Sequence, residues 1–271
     1  MSYSCKTKIT TANSFAPYEK KISICLTPNG FSFSEATVNG KLLAFGEAEG
    51  IHAQTMTGVV ADVKAFFSSF GIQPFGYSVL ELIAVSNESV WVPDELYLAG
   101  NNRQYLRLVG GKSATTIATT CKSIGSTAVY GVNDMLTTAF KVAIPGLVLM
   151  NQHVKLTSAE LCRRSVNHPV VLLYRRNGYI DIAAYREGHY RYSNSLPVAN
   201  DKDALFHTLE MVKLYDMEDP ATEMLLCGDV DRESFAMFRP YFPKITLFSG
   251  FFTADSAFAK LHTYRYVYVL I

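Results

Sequence analysis

The stretches ISICLTPNGFSF (residues 22–33) and VVLLYRRNGYID (residues 170–181) share one pattern: an apolar run, an Asn-Gly pair and a second run. Asn-Gly between apolar runs is typical of a tight β-hairpin, because both residues tolerate a positive φ. The pairs Asn29-Gly30 and Asn177-Gly178 lie 148 residues apart. This spacing predicts that one structural unit occurs twice in the chain.

The repeat extends beyond the hairpins. Gly40 and Gly188 are also 148 residues apart, and each predicts the turn into a third strand. In both copies a helix, a proline and a buried strand follow the meander. These elements are 55–70, Pro74 and 77–85 in the first copy, and 201–217, Pro220 and 223–227 in the second. The common order favours duplication over a chance recurrence of hairpins.

The duplication divides the chain into a predicted first lobe, residues 1–167, and a second lobe, residues 168–271. The first lobe carries an insertion around 86–126. After the insertion we expect the lobe to resume with a strand near 127–132, followed by a helix near 134–142, a strand near 147–152 and a helix near 158–166. The second lobe continues with a helix at 232–238 and a strand at 244–248.

The C-terminal segment 254–271 allows two interpretations. Residues 263–271 are rich in β-branched and aromatic side chains, which favours a strand. The repeat instead requires a helix beginning near 254, as in the first lobe after residue 157. We prefer the helix, because tertiary context overrides intrinsic propensity.

The composition indicates a globular protein without an excess of basic residues. Hydrophobic residues make up 49% of the chain, charged residues 18%, and the net charge is +1. Nucleic-acid binding usually requires a basic excess or a clustered basic face, so we do not expect a nucleic-acid partner.

The cysteines and the apolar runs indicate a cytoplasmic protein. The five cysteines are an odd number with neither a disulfide framework nor zinc-ligand spacing. The apolar runs at 170–174 and 266–271 are much shorter than the roughly 20 residues that cross a bilayer. The N-terminal residues lack the apolar core of a signal peptide. We therefore expect a reducing compartment and no insertion into a membrane.

The order of elements resembles the ribonuclease H-like fold, duplicated as in the actin-like ATPase superfamily. Three motifs also resemble a family of uncharacterised bacterial proteins, typical of Bacteroidetes, in which an actin-like fold is assigned and no activity is established. The motifs are WVPDELY from Trp91, RNGY from Arg176 and LLCGD from Leu225. The resemblance implies an α/β fold of two ribonuclease H-like lobes, with mixed sheets flanked by helices.

The resemblance also implies where catalytic acids belong. Active actin-like ATPases have an aspartate at the end of the first strand of each lobe, and these carboxylates hold hydrated magnesium. Here Leu26 and Tyr174, or their immediate neighbours, occupy those places, and neither run contains an acid. The superfamily's Gly-Gly adenosine motif is reduced to Gly228-Asp229. We therefore predict no catalytic residue, no metal and no cofactor.

The hairpins nevertheless supply weak candidates for binding an anion in a cleft between the lobes. These candidates are Asn29, Gly30, Arg175, Arg176, Asn177, Gly178, Gly228 and Asp229. For the two arginines, the preferred interpretation is a pair of hairpin-end charges in solvent. The segment Gly110-Gly111-Lys112-Ser113 resembles a phosphate loop but lacks its earlier glycine, since that position is Leu106, and we expect a polar loop.

The sequence is compatible with three functions. The first is a non-catalytic actin-like protein that serves as an interaction or scaffold module with protein partners. The second is a nucleotide- or anion-binding protein that uses the interlobe cleft without efficient ATP hydrolysis. The third is an enzyme with displaced catalytic acids, for which Asp181 and Asp229 are the candidates. We rank them in this order.

Overall fold

The computed structural model describes residues 3–27, 30–50, 55–73 and 75–271. The elements up to residue 164 are listed here in chain order: β1 (Ser4–Thr10), β2 (Lys20–Thr27), β3 (Gly30–Thr37), β4 (Leu42–Glu49), α1 (Met56–Ser69), β5 (Val79–Ala84), β6 (Ser89–Pro93), α2 (Asn102–Leu108), β7 (Thr116–Cys121), β8 (Ser126–Gly131), α3 (Asp134–Ala143), β9 (Val148–Asn151), α4 (Gln152–Leu156) and α5 (Ala159–Arg164). The remaining elements are β10 (Val170–Arg176), β11 (Tyr179–Arg186), β12 (His189–Pro197), α6 (Asp201–Leu214), β13 (Glu223–Gly228), α7 (Arg232–Phe238), β14 (Lys244–Leu247) and α8 (Val267–Leu270).

Two mixed sheets form the frame of the molecule, and they share a five-strand topology to which the first sheet adds β1 at its edge. The first has the order β1-β4-β3-β2-β5-β9 and the second the order β12-β11-β10-β13-β14. In each sheet an antiparallel meander continues into parallel strands, through β2, β5 and β9 or through β10, β13 and β14. The predicted repetition of elements is therefore confirmed.

Helices cover one face of each sheet. Their apolar residues recur at helical spacing, so each helix has an apolar side that packs against the strands. Val59, Val63 and Phe66 of α1 are buried against Phe31 and Phe33 of the first sheet. The ring centroids of Phe31 and Phe66 lie 4.7 Å apart in an edge-to-face contact. The Thr55 hydroxyl accepts a hydrogen bond from the Gly58 amide at 3.2 Å and caps the start of α1.

The strand pairing at the two hairpins shifts our alignment of the two copies by one residue. Thr27 pairs with Gly30 across β2 and β3, and Arg176 pairs with Tyr179 across β10 and β11. The equivalent strand ends are therefore 149 residues apart (176 − 27), and the spacing of 148 taken from the Asn-Gly pairs is wrong here. Two landmarks of that alignment, Asn29 and Pro74, lie outside the described residues.

The insertion is larger than we predicted. The strand expected near 127–132 exists as β8, but it does not resume the first sheet. It pairs with β6 and β7 in a separate three-stranded sheet. Residues 110–113 form a loop between α2 and β7, as expected, and the Ser113 amide donates to the Glu88 carboxylate at 2.8 Å. A carboxylate already bound to this amide is incompatible with a phosphate loop.

The C-terminal segment is neither a regular helix from residue 254 nor a strand. It makes two 3₁₀ turns, Ser256–Phe258 and Thr263–Tyr266, and then the short helix α8. The preferred helix is therefore wrong over most of its length. The physical reason is tertiary: α8 is buried between the two sheets, and its Val269 carbonyl accepts a hydrogen bond of 2.5 Å from Ser34 of β3. Within the described ranges, no helix has the length and apolar character needed to cross a membrane.

Candidate functional site

A cavity of about 730 Å³ lies between the two sheets, at the hairpin ends of their central strands. Strands β1 to β4 contribute one wall, and β10, the hairpin after it and the C-terminal segment contribute the other. We call this cavity the cleft. Its volume suits a small ligand or a few side chains of a partner.

The structure divides the predicted site residues into two groups. Gly30, Arg176, Asn177 and Asp229 line the cleft, whereas Arg175, Gly178 and Gly228 do not. Asn29 lies outside the described residues.

Neither hairpin arginine is a solvent charge, which corrects our preferred interpretation. Arg175 forms an ion pair with Asp201 of α6, with 3.1 Å between Nε and Oδ1. Its Nη1 also donates to the Arg176 carbonyl at 2.9 Å. Arg176 forms an ion pair with Asp181. Both arginine side chains are only about 15% exposed, because these ion pairs hold them against the protein.

The corrected repeat makes Cys25 the counterpart of Tyr174. Both side chains line the cleft, whereas Leu26 packs on the other face of the sheet, in the core under α1 and α3. Burial raises the pKa of the Cys25 thiol to about 12 and raises the pKa of the Tyr174 hydroxyl well above its usual value. Both groups are therefore neutral near pH 7. Tyr174 is one of the two positions at which the resemblance led us to look for acids, and Cys25 directly precedes the other, Leu26.

Asp181 is buried directly beside this part of the cleft and is fully bound by protein groups. Its two oxygens accept hydrogen bonds from Arg176, at 2.7 Å from Nε and 2.8 Å from Nη2. The hydroxyls of Ser195 and Tyr268 donate to the same carboxylate. Burial alone raises the pKa of Asp181, but hydrogen bonds from Arg176 and its charge outweigh burial and hold that pKa below its ordinary value.

The network continues from Asp181 into the first half of the chain. Ser195 is 3.0 Å from His153 Nε2 and 3.2 Å from Gln152 Nε2. The Gln152 amide also donates to the Ser86 carbonyl at 2.6 Å, and Arg176 donates to Asn87. The buried network therefore ties the end of β5 and the start of α4 to strands of the second sheet.

His153 makes folding depend on pH. Burial lowers the pKa of His153 to about 4, and its Nδ1 has no hydrogen-bond partner among the described residues. In the unfolded chain histidine titrates near pH 6.5. Between about pH 6.5 and 4 the unfolded state therefore takes up a proton that the folded state does not.

We expect acidification from pH 7.5 to 4.5 to lower the free energy of unfolding of the wild type by up to about 3 kcal/mol through His153. His153→Gln removes the titrating group, so its denaturation midpoints should fall less over the same range. Urea unfolding at several pH values measures this difference. His189→Gln, the same replacement at an exposed position, is the control variant. Equal slopes for wild type and His153→Gln would contradict the assignment.

Among the described residues, the charges that line the cleft are balanced in number. Lys6, Arg176 and Arg265 oppose an equal number of carboxylates, those of Glu47, Glu49 and Asp229. Lys6 is paired with Glu49, and Glu47 accepts a hydrogen bond of 2.9 Å from Tyr266. Such a lining lacks the strong positive potential that a polyphosphate would require.

Aromatic residues of the C-terminal segment are the site residues that sequence reasoning missed. Tyr266 and Tyr268 line the cleft, and the Tyr174 hydroxyl donates to the Arg265 carbonyl at 2.6 Å. The alternation of tyrosines at 264, 266 and 268 was visible in the sequence and suggested a strand. No sequence signal paired these tyrosines with Asp181 or Glu47, which are far away along the chain.

The two acids considered for a displaced active site have different surroundings. Asp229 is exposed at the cleft, whereas Asp181 is buried and accepts hydrogen bonds from Arg176, Ser195 and Tyr268. In the described part of the chain, no group of three or more His, Cys, Asp or Glu side chains has metal-binding geometry.

Comparison with known proteins identifies one sequence family and several similar folds. The model of a family described as "Protein of unknown function (DUF3822)" matches residues 10–245. No curated protein sequence matches the chain.

A crystal structure from Bacteroides thetaiotaomicron, described as a protein with actin-like ATPase fold and unknown function, has a TM-score of 0.67 and 17% identity, covering 91% of this chain and 96% of that one. The ethanolamine utilization protein EutJ from Carboxydothermus hydrogenoformans has a TM-score of 0.53 and 9% identity, covering 97% and 93%. At these identities the likeness concerns the fold, which is the predicted actin-like ATPase fold.

Proposed function

Since the chain belongs to the DUF3822 family and has an actin-like ATPase fold, we propose that it is a non-catalytic interaction or scaffold module with protein partners. The observation that carries the proposal is the chemistry of the cleft floor. Cys25 and Tyr174 are neutral there, and the nearby Asp181 is held in an ion pair with Arg176. These groups are unsuited to holding hydrated magnesium or to activating water.

The proposal includes a division into lobes at about residue 167 and a cytoplasmic location. All five cysteines are free thiols, which fits a reducing compartment. The polar network around Asp181 supports a non-catalytic role, because it connects the two sheets through side chains of the protein itself. A lobe arrangement held in this way needs no nucleotide to bridge it.

A second candidate function is binding of a nucleotide or another anion in the cleft without efficient hydrolysis. The observation that favours it is the cavity of about 730 Å³, with Asn177 and Arg265 in its lining. The balanced charge of the lining places it second, because a triphosphate would meet three carboxylates as well as the three cations.

One experiment separates the two candidates. We expect no magnesium-dependent ATP turnover above the background of a buffer control, and no rise in melting temperature with millimolar ATP, ADP or GTP. A ligand at 100 times its Kd would stabilise the fold by about 2.7 kcal/mol, which thermal shift detects easily. Stabilisation without turnover would favour the second candidate. Turnover that Asn177→Ala abolishes would overturn both.

A further inference from the structure

The insertion exposes a run of aliphatic side chains. Leu96, Leu98, Leu108 and Val109 are 66%, 62%, 83% and 54% exposed. The hydroxyl of Tyr105 donates to the Leu96 carbonyl at 2.7 Å and accepts from the Leu98 amide at 2.9 Å. The loop at 96–98 is therefore fixed against α2, which carries Leu108 at its end and is followed directly by Val109. A clustered apolar surface of this kind is typical of an interaction site.

The same surface is basic. Arg103 and Arg107 are exposed on α2, Lys112 follows the helix, and no acidic residue occurs from 96 to 112. We call the four aliphatic side chains together with Arg103 and Arg107 the insertion patch.

A second apolar surface, on the other half of the chain, has the opposite charge. A cavity of about 610 Å³ lies between α6 and the loop at 240–243. Phe206 and Tyr241 line it and are 58% and 56% exposed. Of the residues that the structure describes, the charged ones in its lining are the acids Glu210, Glu218 and Asp219 and the cation Lys213. We call this surface the α6 groove.

The two surfaces are close neighbours on the molecule. Val109 of the insertion patch and Tyr215, which directly follows α6, line the same crevice. Lys213 and Met217, on either side of Tyr215, line the α6 groove. Two copies related by a twofold axis can therefore make both contacts at once, patch to groove and groove to patch.

We propose that the occupant of the α6 groove is the insertion patch of a second copy of this chain, in a twofold dimer. Apolar side chains of the patch meet Phe206 and Tyr241, and Arg103 and Arg107 meet Glu210 and Glu218. Each surface supplies what the other lacks, both in apolar area and in charge. No cleft residue takes part, so this proposal and the proposed function fail independently.

Charge reversal tests the dimer with a built-in rescue. Sedimentation velocity on the full chain, across about 1–500 µM in low salt, is expected to show a shift from the 30.1 kDa monomer to the dimer. Arg103→Glu with Arg107→Glu, or Glu210→Lys with Glu218→Lys, should each raise the dissociation constant at least about tenfold. An equimolar mixture of the two variants should restore it to within about threefold, because each reversed surface then meets its complement.

The control is Lys64→Glu with Lys141→Glu, which makes the same charge change on exposed positions of α1 and α3 and should leave the dimer unchanged. Circular dichroism melts establish that every variant is folded. The proposal is overturned if the wild type stays monomeric throughout the range. It is equally overturned if the reversed variants dimerise like the wild type, or if their mixture remains monomeric.

Discussion

Arg176→Met is expected to lower the free energy of unfolding by about 3–5 kcal/mol, because it leaves the carboxylate of Asp181 buried without its cation. Asp181 is 0% exposed and receives two hydrogen bonds from the guanidinium. Ser195 and Tyr268 remain as donors but carry no positive charge. For a chain of this length, we expect a fall in melting temperature of roughly 6–15 °C. Urea unfolding followed by circular dichroism measures the change.

A matched control exists in the exposed ion pair between Arg163 and Glu160. These side chains are 69% and 51% exposed, so Arg163→Met should cost less than about 1 kcal/mol. A second variant tests the mechanism: Asp181→Leu added to Arg176→Met removes the stranded charge and should recover part of the loss. If Asp181→Leu lowers the free energy of unfolding of Arg176→Met still further, the buried charge is not the cause of the loss.

The same pair predicts a pH window at the acidic end. The pKa of Asp181 lies below its ordinary value in the folded state, so its contribution to stability is present above about pH 4 and is lost as the pH falls further. This window lies below the one assigned to His153, so the two contributions are separable in one pH series.

Gly228→Ala is expected to destabilise the fold by about 4 kcal/mol or more. Gly228 has a φ of +89°, and a Cβ there would lie 1.9 Å from the Arg175 carbonyl oxygen. That oxygen accepts the hydrogen bond of the Asp229 amide at 2.7 Å, so the clash falls on the backbone that joins β10 to the end of β13. A left-handed alanine adds about 1–2 kcal/mol of its own. Thermal and urea unfolding measure the loss.

Gly178→Ala provides the comparison that separates steric overlap from backbone strain. Gly178 has a φ of +71°, but a Cβ there would have no heavy atom within 4 Å. Its cost should therefore be only about 1–2 kcal/mol. Similar losses for both variants would show that backbone strain, and not the contact with Arg175, determines the effect at Gly228. A larger loss for Gly228→Ala would also bear on function. It would show that chain packing requires a glycine at position 228 without any ligand.

Local patterns in the sequence were sufficient for the order of elements. Apolar runs, turn residues and helical spacing act within a few residues, so they predicted both meanders, α1, α6 and the strands that follow them. They also showed that no acid ends the first strand of either half. Local patterns did not determine how the two copies align residue by residue. Gly178 of the second pair lies in the turn, whereas Gly30 of the first pair is already the first residue of β3. Only the pairing of Thr27 with Gly30 identified Cys25 as the counterpart of Tyr174.

The tertiary structure decided the rest, and the reason is distance along the chain. Asp181 finds its partners at Arg176, Ser195 and Tyr268, the last of them 87 residues away. The C-terminal residues have strand-forming side chains, yet burial between the two sheets and a hydrogen bond to Ser34 hold them in a short helix. The sequence by itself thus determined a duplicated α/β chain without acids at two places. Long-range packing decided that those places are neutral walls of a cleft beside a buried ion pair, because such contacts leave no periodic trace in the sequence.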